Sequence, residues 1–188
     1  DVSLGLHLWT PLESGVVGIA EGPVMAGCTI FDIKIGGKGG HAAQPHTTID
    51  PILCATTLVN ALQSIVSRNV DPLDTAVLSI TYLRAGETYN VIPETAALKG
   101  TFRAFRPEVR DLILRRLHEV TESVCKAMGC TFEISSTNDT NPVINDVKVT
   151  RQLRRVFAPL AGEDMPDTSA RTMGRGGMSH CVAELPGV

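Results

Sequence analysis

Between Cys28 and Ile35 apolar and charged positions alternate, with Phe31, Ile33 and Ile35 set against Asp32 and Lys34. A period of two is that of a strand with one face buried. After a glycine-rich stretch the period lengthens: Ala55, Leu58, Val59, Leu62, Ile65 and Val66 form one stripe of a helix. Asp50 is placed to cap that helix and Pro51 to occupy its first turn. Arg68 and Asn69 close it, and Asp71–Pro72 marks a turn. The runs Thr75–Gly86 and Thr95–Phe105 read as two more strands, the first with Leu78, Ile80 and Tyr82 on one face. Pro107 and Glu108 open a second helix, with Val109, Ile113, Leu117, Val120, Val124 and Met128 inward and Gly129 as its stop. A fourth strand is predicted over Cys130–Ser136.

The predicted order is β-α-β-β-α-β, the ferredoxin-like arrangement of a four-stranded sheet with two helices on one face, an α+β fold. The flanks differ. Residues 1–26 hold a short apolar, strand-like run, "VSLGLHLW", then turn-rich "TPLESG". In the tail, "STNDTNPVIND" reads as loop, Val147–Leu160 as a helix and Arg171–His180 as a second glycine-rich loop. Neither flank could bury a core alone. The expectation is three stretches: 1–26 and 138–188 as incomplete pieces of one domain, and 27–137 as a compact unit between them. There is no internal repeat or low-complexity tract.

Composition narrows the function. A net charge of −3 lacks the clustered cations that phosphate backbones require, and 4% aromatic residues offer few stacking platforms, so nucleic-acid binding is disfavoured. An RNA-binding ferredoxin-like domain would need a basic face and aromatic strands, and only Tyr82, Phe102 and Phe105 are candidates. Five cysteines without a CxxC spacing suit thiols in a reducing compartment, which points to the cytoplasm. No apolar run approaches the ~20 residues that span a bilayer, so no membrane association is expected. The first residue is Asp1, so the chain is expected to begin mid-sequence.

The candidate chemistry gathers around "GGKGGHAAQPH", Gly36–His46. Its glycines fit neither the dinucleotide nor the P-loop spacing. His41 and His46 are five apart in a Gly/Pro loop without Asp, Glu or Cys at ligand spacing, so they do not read as a metal site. A lone histidine can still donate a hydrogen bond to a developing oxyanion. His7 ends an apolar run where a strand would meet a loop, a common ligand position in α/β domains. His118 reads as a helix-surface residue. Asn90, in "YNVIPE", is either a turn residue or a group able to hold a carbonyl or amide. Arg103 is either a solvent-facing strand residue or a bidentate carboxylate partner.

Taken in order, "GLHLWTPLESGVVGI", "GGKGGHAAQPHTTIDPI", "GETYNVIPETAALKGTFRAF" and "NPVIND" resemble the zinc-dependent aminoacylase/carboxypeptidase family over nearly the whole chain. The branch resembled is that of N-acyl-amino-acid amidohydrolases, with hippurate hydrolases and indole-acetyl-amino-acid hydrolases. The resemblance implies an α/β metallohydrolase catalytic domain holding two divalent metal ions (zinc, or manganese, cobalt or nickel), with 27–137 as a lid inserted into it that mediates homodimerisation. It implies that His7 is a metal ligand and that His41 reaches the partner subunit's site to steady the oxyanion. It further implies that Asn90 contacts substrate and that Arg103 binds the substrate's carboxylate. His46 is implied as a further substrate contact in the same motif. The substrate would be a small N-acyl-amino acid or peptide-like amide. Two metals would lower the pKa of a bridging water, a glutamate would move its proton, and a donor from a mobile lid would act on closure.

The family's Cys-Gly-His-Asp-type motif and Glu-Glu pair have no counterpart here and are expected before residue 1; a last ligand histidine is expected beyond Val188. In "TMGRGGMSH", Gly176 and Gly177 stand where the family commonly has acidic residues. The chain is therefore expected to be an inactive fragment of a hydrolase, the alternative being a homodimerisation module without hydrolase activity.

Overall fold

The computed structural model describes residues 1–161 and 169–188. In chain order the strands are β1 (Gly22–Met25), β2 (Gly27–Gly36), β3 (Gly40–His41), β4 (Ala76–Ala85), β5 (Val91–Ile92), β6 (Thr95–Ala104), β7 (Thr131–Thr140) and β8 (Val143–Asn145). The helices are α1 (Pro51–Asn69), α2 (Pro107–Ala127), α3 (Val147–Ala161) and α4 (Ser179–Glu184). They form two compact units, Thr29–Asn138, and Asp1–Cys28 together with Asp139–Val188.

Unit Thr29–Asn138 is ferredoxin-like. Its sheet runs β4-β6-β2-β7, so sequence-distant β2 and β6 lie in the middle, and α1 and α2 supply the helical layer. Phe31, Ile33 and Ile35 of β2 and Leu98 and Phe102 of β6 bury one sheet face against Leu58, Leu62 and Ile65 of α1 and Ile113 and Leu117 of α2. The alternation along β2 is thus the signature of a one-sided sheet. Gly100 is required by close approach: a Cβ there would collide with the Phe31 ring and the Ser79 carbonyl. Asp50 caps α1, its Oδ1 accepting from Ile52 N at 2.8 Å and Leu53 N at 3.3 Å. α2 ends in a Schellman motif: Gly129 has φ +71°, Cys130 N donates to Cys125 O and Gly129 N to Lys126 O.

Several expectations need correction. Tyr82 does not share a face with Leu78 and Ile80. The register of β4 against β6 shifts between Ile80 and Tyr82, with Ile80 opposite Gly100 and Tyr82 opposite Lys99. The extra residue, Thr81, inverts the parity of the rest of the strand. Tyr82 turns to the uncovered face, where Lys99 Nζ sits 5.8 Å from its ring centre. In the other unit, "NPVIND" is not loop: β8 pairs antiparallel with β1, Gly22 opposite Asn145 and Pro23 opposite Ile144. The apolar run 1–8 is not a strand. It touches the chain's end through Ser3 N to Pro186 O and Gly5 N to Val188 O, and Leu6 and Leu8 are exposed. The pairing stops at a single parallel bridge, Ser3 with Gly187, which is too short to make the run a strand.

The same unit is stitched by polar contacts from 19–21 to 145–154. Buried Asn145 donates to Ala20 O at 2.9 Å, and Arg154 donates to Ile19 O at 2.7 Å and to Glu21. Asp146 caps α3, accepting from Lys148 N and Val149 N. α4 begins at Ser179, inside the stretch expected to be loop. A Cβ on Gly176 would lie 2.5 Å from Met25 Sδ, so an acidic side chain there would have to displace that thioether.

Candidate functional site

The glycine stretch is a pinned loop. Gly37 N donates to Glu94 O at 2.8 Å, and Lys38 and Ile49 exchange both backbone bonds. A Cβ at Gly37 would strike the Ile49 carbonyl, and one at Gly39 would lie 2.9 Å from Ile92 O. The glycines therefore let two backbones approach, and none of Gly36, Gly37, Gly39 and Gly40 has a positive φ. The loop then enters the β3–β5 ladder, with Gly40 opposite Ile92 and His41 opposite Val91. Ala42 N donates to Asn90 O at 2.9 Å. His41 and Asn90, far apart in sequence, stand on adjoining loops with exposed side chains. A tight 3-10 turn, Pro45–Thr47, carries His46, also exposed, on the same loop.

His41 has a defined tautomer. Ala43 N–H donates to its Nδ1 at 3.1 Å, so Nδ1 is the acceptor and the neutral ring carries its proton on Nε2. Nε2–H is left as a donor on an exposed side chain. His7 is set the other way. Its Nδ1 lies 2.6 Å from Leu8 O, a carbonyl that can only accept. In the neutral ring the proton is then on Nδ1 and the lone pair on Nε2, with the ring edge-on to Trp9 at 5.5 Å. A backbone carbonyl that accepts from the other ring nitrogen is what orients metal-binding histidines. Among the described residues, however, no three His, Cys, Asp or Glu side chains come together as a cation site. His7 supplies one donor atom, and these residues do not by themselves fit a two-metal centre.

Arg103 is not brought to His41. It is the penultimate residue of β6, opposite Val77, half-buried on the uncovered face with Nη1 3.4 Å from Thr101 Oγ1. β6 starts at Thr95, beside the His41 loop, and eight strand steps put Arg103 roughly 26 Å further along.

Two features escaped the sequence reading. One is an open depression of about 450 Å³ lined by residues 84–88 with Val91, Pro93, Thr95 and Ala97, which shares Val91 with the His41 ladder. Its only sequence signal was "RAGE" directly before the "TYNVIP" run. The other is a buried thiol group: Cys54 Sγ lies 3.7 Å from Cys125 Sγ, with Cys130 alongside. Burial first, and the neighbouring Cys125 second, push the Cys54 thiol up to about 11. Burial likewise raises Cys130 to about 11, and Cys125 is raised for the same reason. These are protonated core thiols, unsuited to nucleophilic work.

The peptidase dimerisation domain family matches residues 26–128, which is more than half of the chain. The chain belongs to the M20 peptidase dimerisation-domain family. It is similar to an N-acetyl-L-cysteine deacetylase of Bacillus subtilis, 41% identical over 82% of the chain and 37% of that protein. It is also similar to an N-acyl-L-amino acid amidohydrolase of Geobacillus stearothermophilus, 43% identical over 77% of the chain and 39% of that protein. Among solved structures, the Bacillus subtilis YxeP protein, described as a dinuclear metal-binding peptidase of the M20 family, aligns with TM-score 0.79 and 28% identity over 100% of this chain and 46% of that one. The chain thus spans about two fifths of the curated relatives it matches. Among the described residues, no helix is long and apolar enough to cross a membrane.

Proposed function

We propose that the whole protein is a metal-dependent amidohydrolase of N-acyl-amino acids or small peptide-like amides, acting in the cytoplasm. Residues 27–137 would be its dimerising lid, and 1–26 and 138–188 two parts of its catalytic domain. The observation that carries this reading is the pair of opposite tautomers: His7 keeps an Nε2 lone pair for a metal, and His41 keeps an Nε2–H for an oxyanion. Two bound divalent metals would supply an activated water. The chain's own share is one ligand and one lid-borne donor, with Asn90 beside the donor to hold the amide.

Homodimerisation is supported by β4. It is an edge of the sheet and exposes Val77, Tyr82 and Leu83, an apolar edge that isolated sheets normally protect. Action of His41 on the partner subunit's site is part of the same proposal. The chain passes between units at the start of β2 and the end of β7, and the His41 loop follows the far end of β2, roughly 30 Å away. Arg103 stands near the crossing end, so it would meet a substrate held by His41 and Asn90 only from the second subunit. His46 would contact substrate from the rim of the His41 loop.

The test is hydrolysis of an N-acyl-amino acid panel by the full-length protein, with and without a chelator, beside the 188-residue chain alone. Chelator-sensitive turnover by the former and none by the latter is expected. Turnover by the 188-residue chain would refute the shared-site reading, and its sole activity as a dimer would leave a dimerisation module.

A further inference from the structure

We infer that Cys54 and Cys125 are a redox pair, closed by a small-molecule disulfide into a bond that staples the start of α1 to the end of α2 beside the anchor of the His41 loop. The inference stands apart from the hydrolase reading. Both side chains are wholly buried, and their sulfurs lie 3.7 Å apart. A bond needs a further approach of roughly 1.7 Å, shared by two side chains and two helix ends. Local structure brings the thiols together. Cys54 lies in the first turn of α1, where its N–H donates to Asp50 O, and Cys125 in the last turn of α2, where its carbonyl accepts from Cys130 N. Cys130 is tied to that same turn and turned to Met128 O at 4.0 Å, so the pairing that joins the helices is Cys54 with Cys125. The His41 loop is anchored next to this pair. Ile49, just before the Asp50 cap, exchanges both backbone bonds with Lys38, and its Cγ2 would stand 4.0 Å from a Cβ on Gly129.

Closure is thiol–disulfide exchange. One cysteine, as thiolate, attacks a sulfur of the small disulfide and expels a thiolate, which takes up the proton the cysteine gave. The second cysteine then attacks the protein sulfur of that mixed disulfide and expels the other half. Two cysteine thiols are oxidised and one small disulfide is reduced to two thiols. Burial keeps both cysteines protonated, so exchange waits on opening of the helix ends and is slow. The equilibrium is favoured by the contact already present in the fold. The bond closes a loop of roughly 70 residues, which restrains the unfolded chain. In a reducing compartment the pair stays open. A sustained rise in small disulfides closes it and holds Ile49, and with it Lys38, in place.

The test uses the 188-residue chain carrying Cys181→Ser, which removes the exposed thiol. The reduced protein is held with oxidised glutathione, alkylated and cleaved with trypsin. Cleavage after Lys126 puts Cys125 and Cys130 on different peptides, so the map tells the pairings apart. Four results are expected: a link between the Cys54 and Cys125 peptides, a mass lower by two hydrogens, a raised urea midpoint, and slower hydrogen exchange at the Lys38 and Ile49 amides. Dithiothreitol should reverse all of them. Cys125→Ala should abolish the link and both shifts, and Cys54→Ala serves the same purpose if the first variant does not fold. Thiols that all survive prolonged exposure, glutathione adducts alone, or a link from Cys54 to Cys130 would overturn the pairing. A Cys54–Cys125 link that leaves exchange at Lys38 and Ile49 unchanged would overturn its hold on the loop.

Discussion

Removing the His41 ring tests the link between a backbone hydrogen bond and catalysis. In the folded chain Ala43 N–H fixes His41 Nδ1 as acceptor at 3.1 Å, and the β3–β5 ladder holds its backbone against Val91. The ring nitrogen left to donate is then Nε2–H. Donors to a tetrahedral oxyanion contribute about 2.7–4 kcal/mol, or 10²–10³ in kcat, when the site excludes water. Because His41 is exposed in the isolated chain, that contribution arises only when the loop docks. His41→Ala in the full-length hydrolase should therefore lower kcat by about a hundredfold or more. KM, metal content and oligomeric state should stay close to those of the parent. His41→Gln, whose amide N–H reaches a similar position, should recover part of the loss. Kinetics with metal analysis on the same preparations decide the matter. Loss of metal would make His41 a ligand. An equal fall for His41→Gln and His41→Ala would show that Nε2–H is not the acting group.

Other consequences concern the fold. Gly100→Ala should destabilise the 188-residue chain by about 1–3 kcal/mol in urea unfolding, because its Cβ meets both the Phe31 ring and the Ser79 carbonyl. A midpoint equal to the parent's would show that the sheet yields there. Asp50→Ala should cost about 1 kcal/mol through loss of the α1 cap, read the same way. The core thiols predict alkaline sensitivity. An unfolded cysteine loses its proton near 9.0, whereas folded Cys54 holds it to about 11. The unfolded state thus binds fewer protons in that interval, and stability should fall as pH rises from about 9 towards 11. Cys54→Ala should flatten that decline, and an identical slope would exclude Cys54 as its source. Leu83→Lys on β4 should weaken dimerisation in sedimentation experiments if that edge is the interface, and unchanged association would exclude it.

The helices and middle strands were legible because single residues announce them. Asp50-Pro51 and Gly129 mark helix ends through local backbone chemistry, and the alternation at 31–35 reports a sheet with one dry face. What the residues could not announce was pairing. Thr81 is an ordinary strand residue, and only the β6 register shows that it is an extra one that turns Tyr82 outward. β8 is invisible without its partner β1, since a three-residue strand has no period of its own. The same difference governs the site. That the His41 and Asn90 loops adjoin follows from a two-residue ladder, which the sequence holds as two separate motifs.

Resemblance placed His7, His41, His46, Asn90 and Arg103 around a common chemistry, and the geometry sorts them further. A histidine's type does not fix its role, because either ring nitrogen can carry the proton. Here the backbone chooses: an acceptor carbonyl at Leu8 frees the Nε2 lone pair of His7, and a donor amide at Ala43 leaves Nε2–H on His41. Exchanged, these partners would suit neither proposed role, since a protonated Nε2 cannot bind a metal and a bare one cannot stabilise an oxyanion. Strand length does the rest. Ten-residue strands separate the Arg103 end from the His41 end by a span no side chain crosses. One substrate could therefore engage His41, Asn90 and Arg103 together only if two chains contributed, so the proposed chemistry would need the dimer that the exposed β4 edge supports.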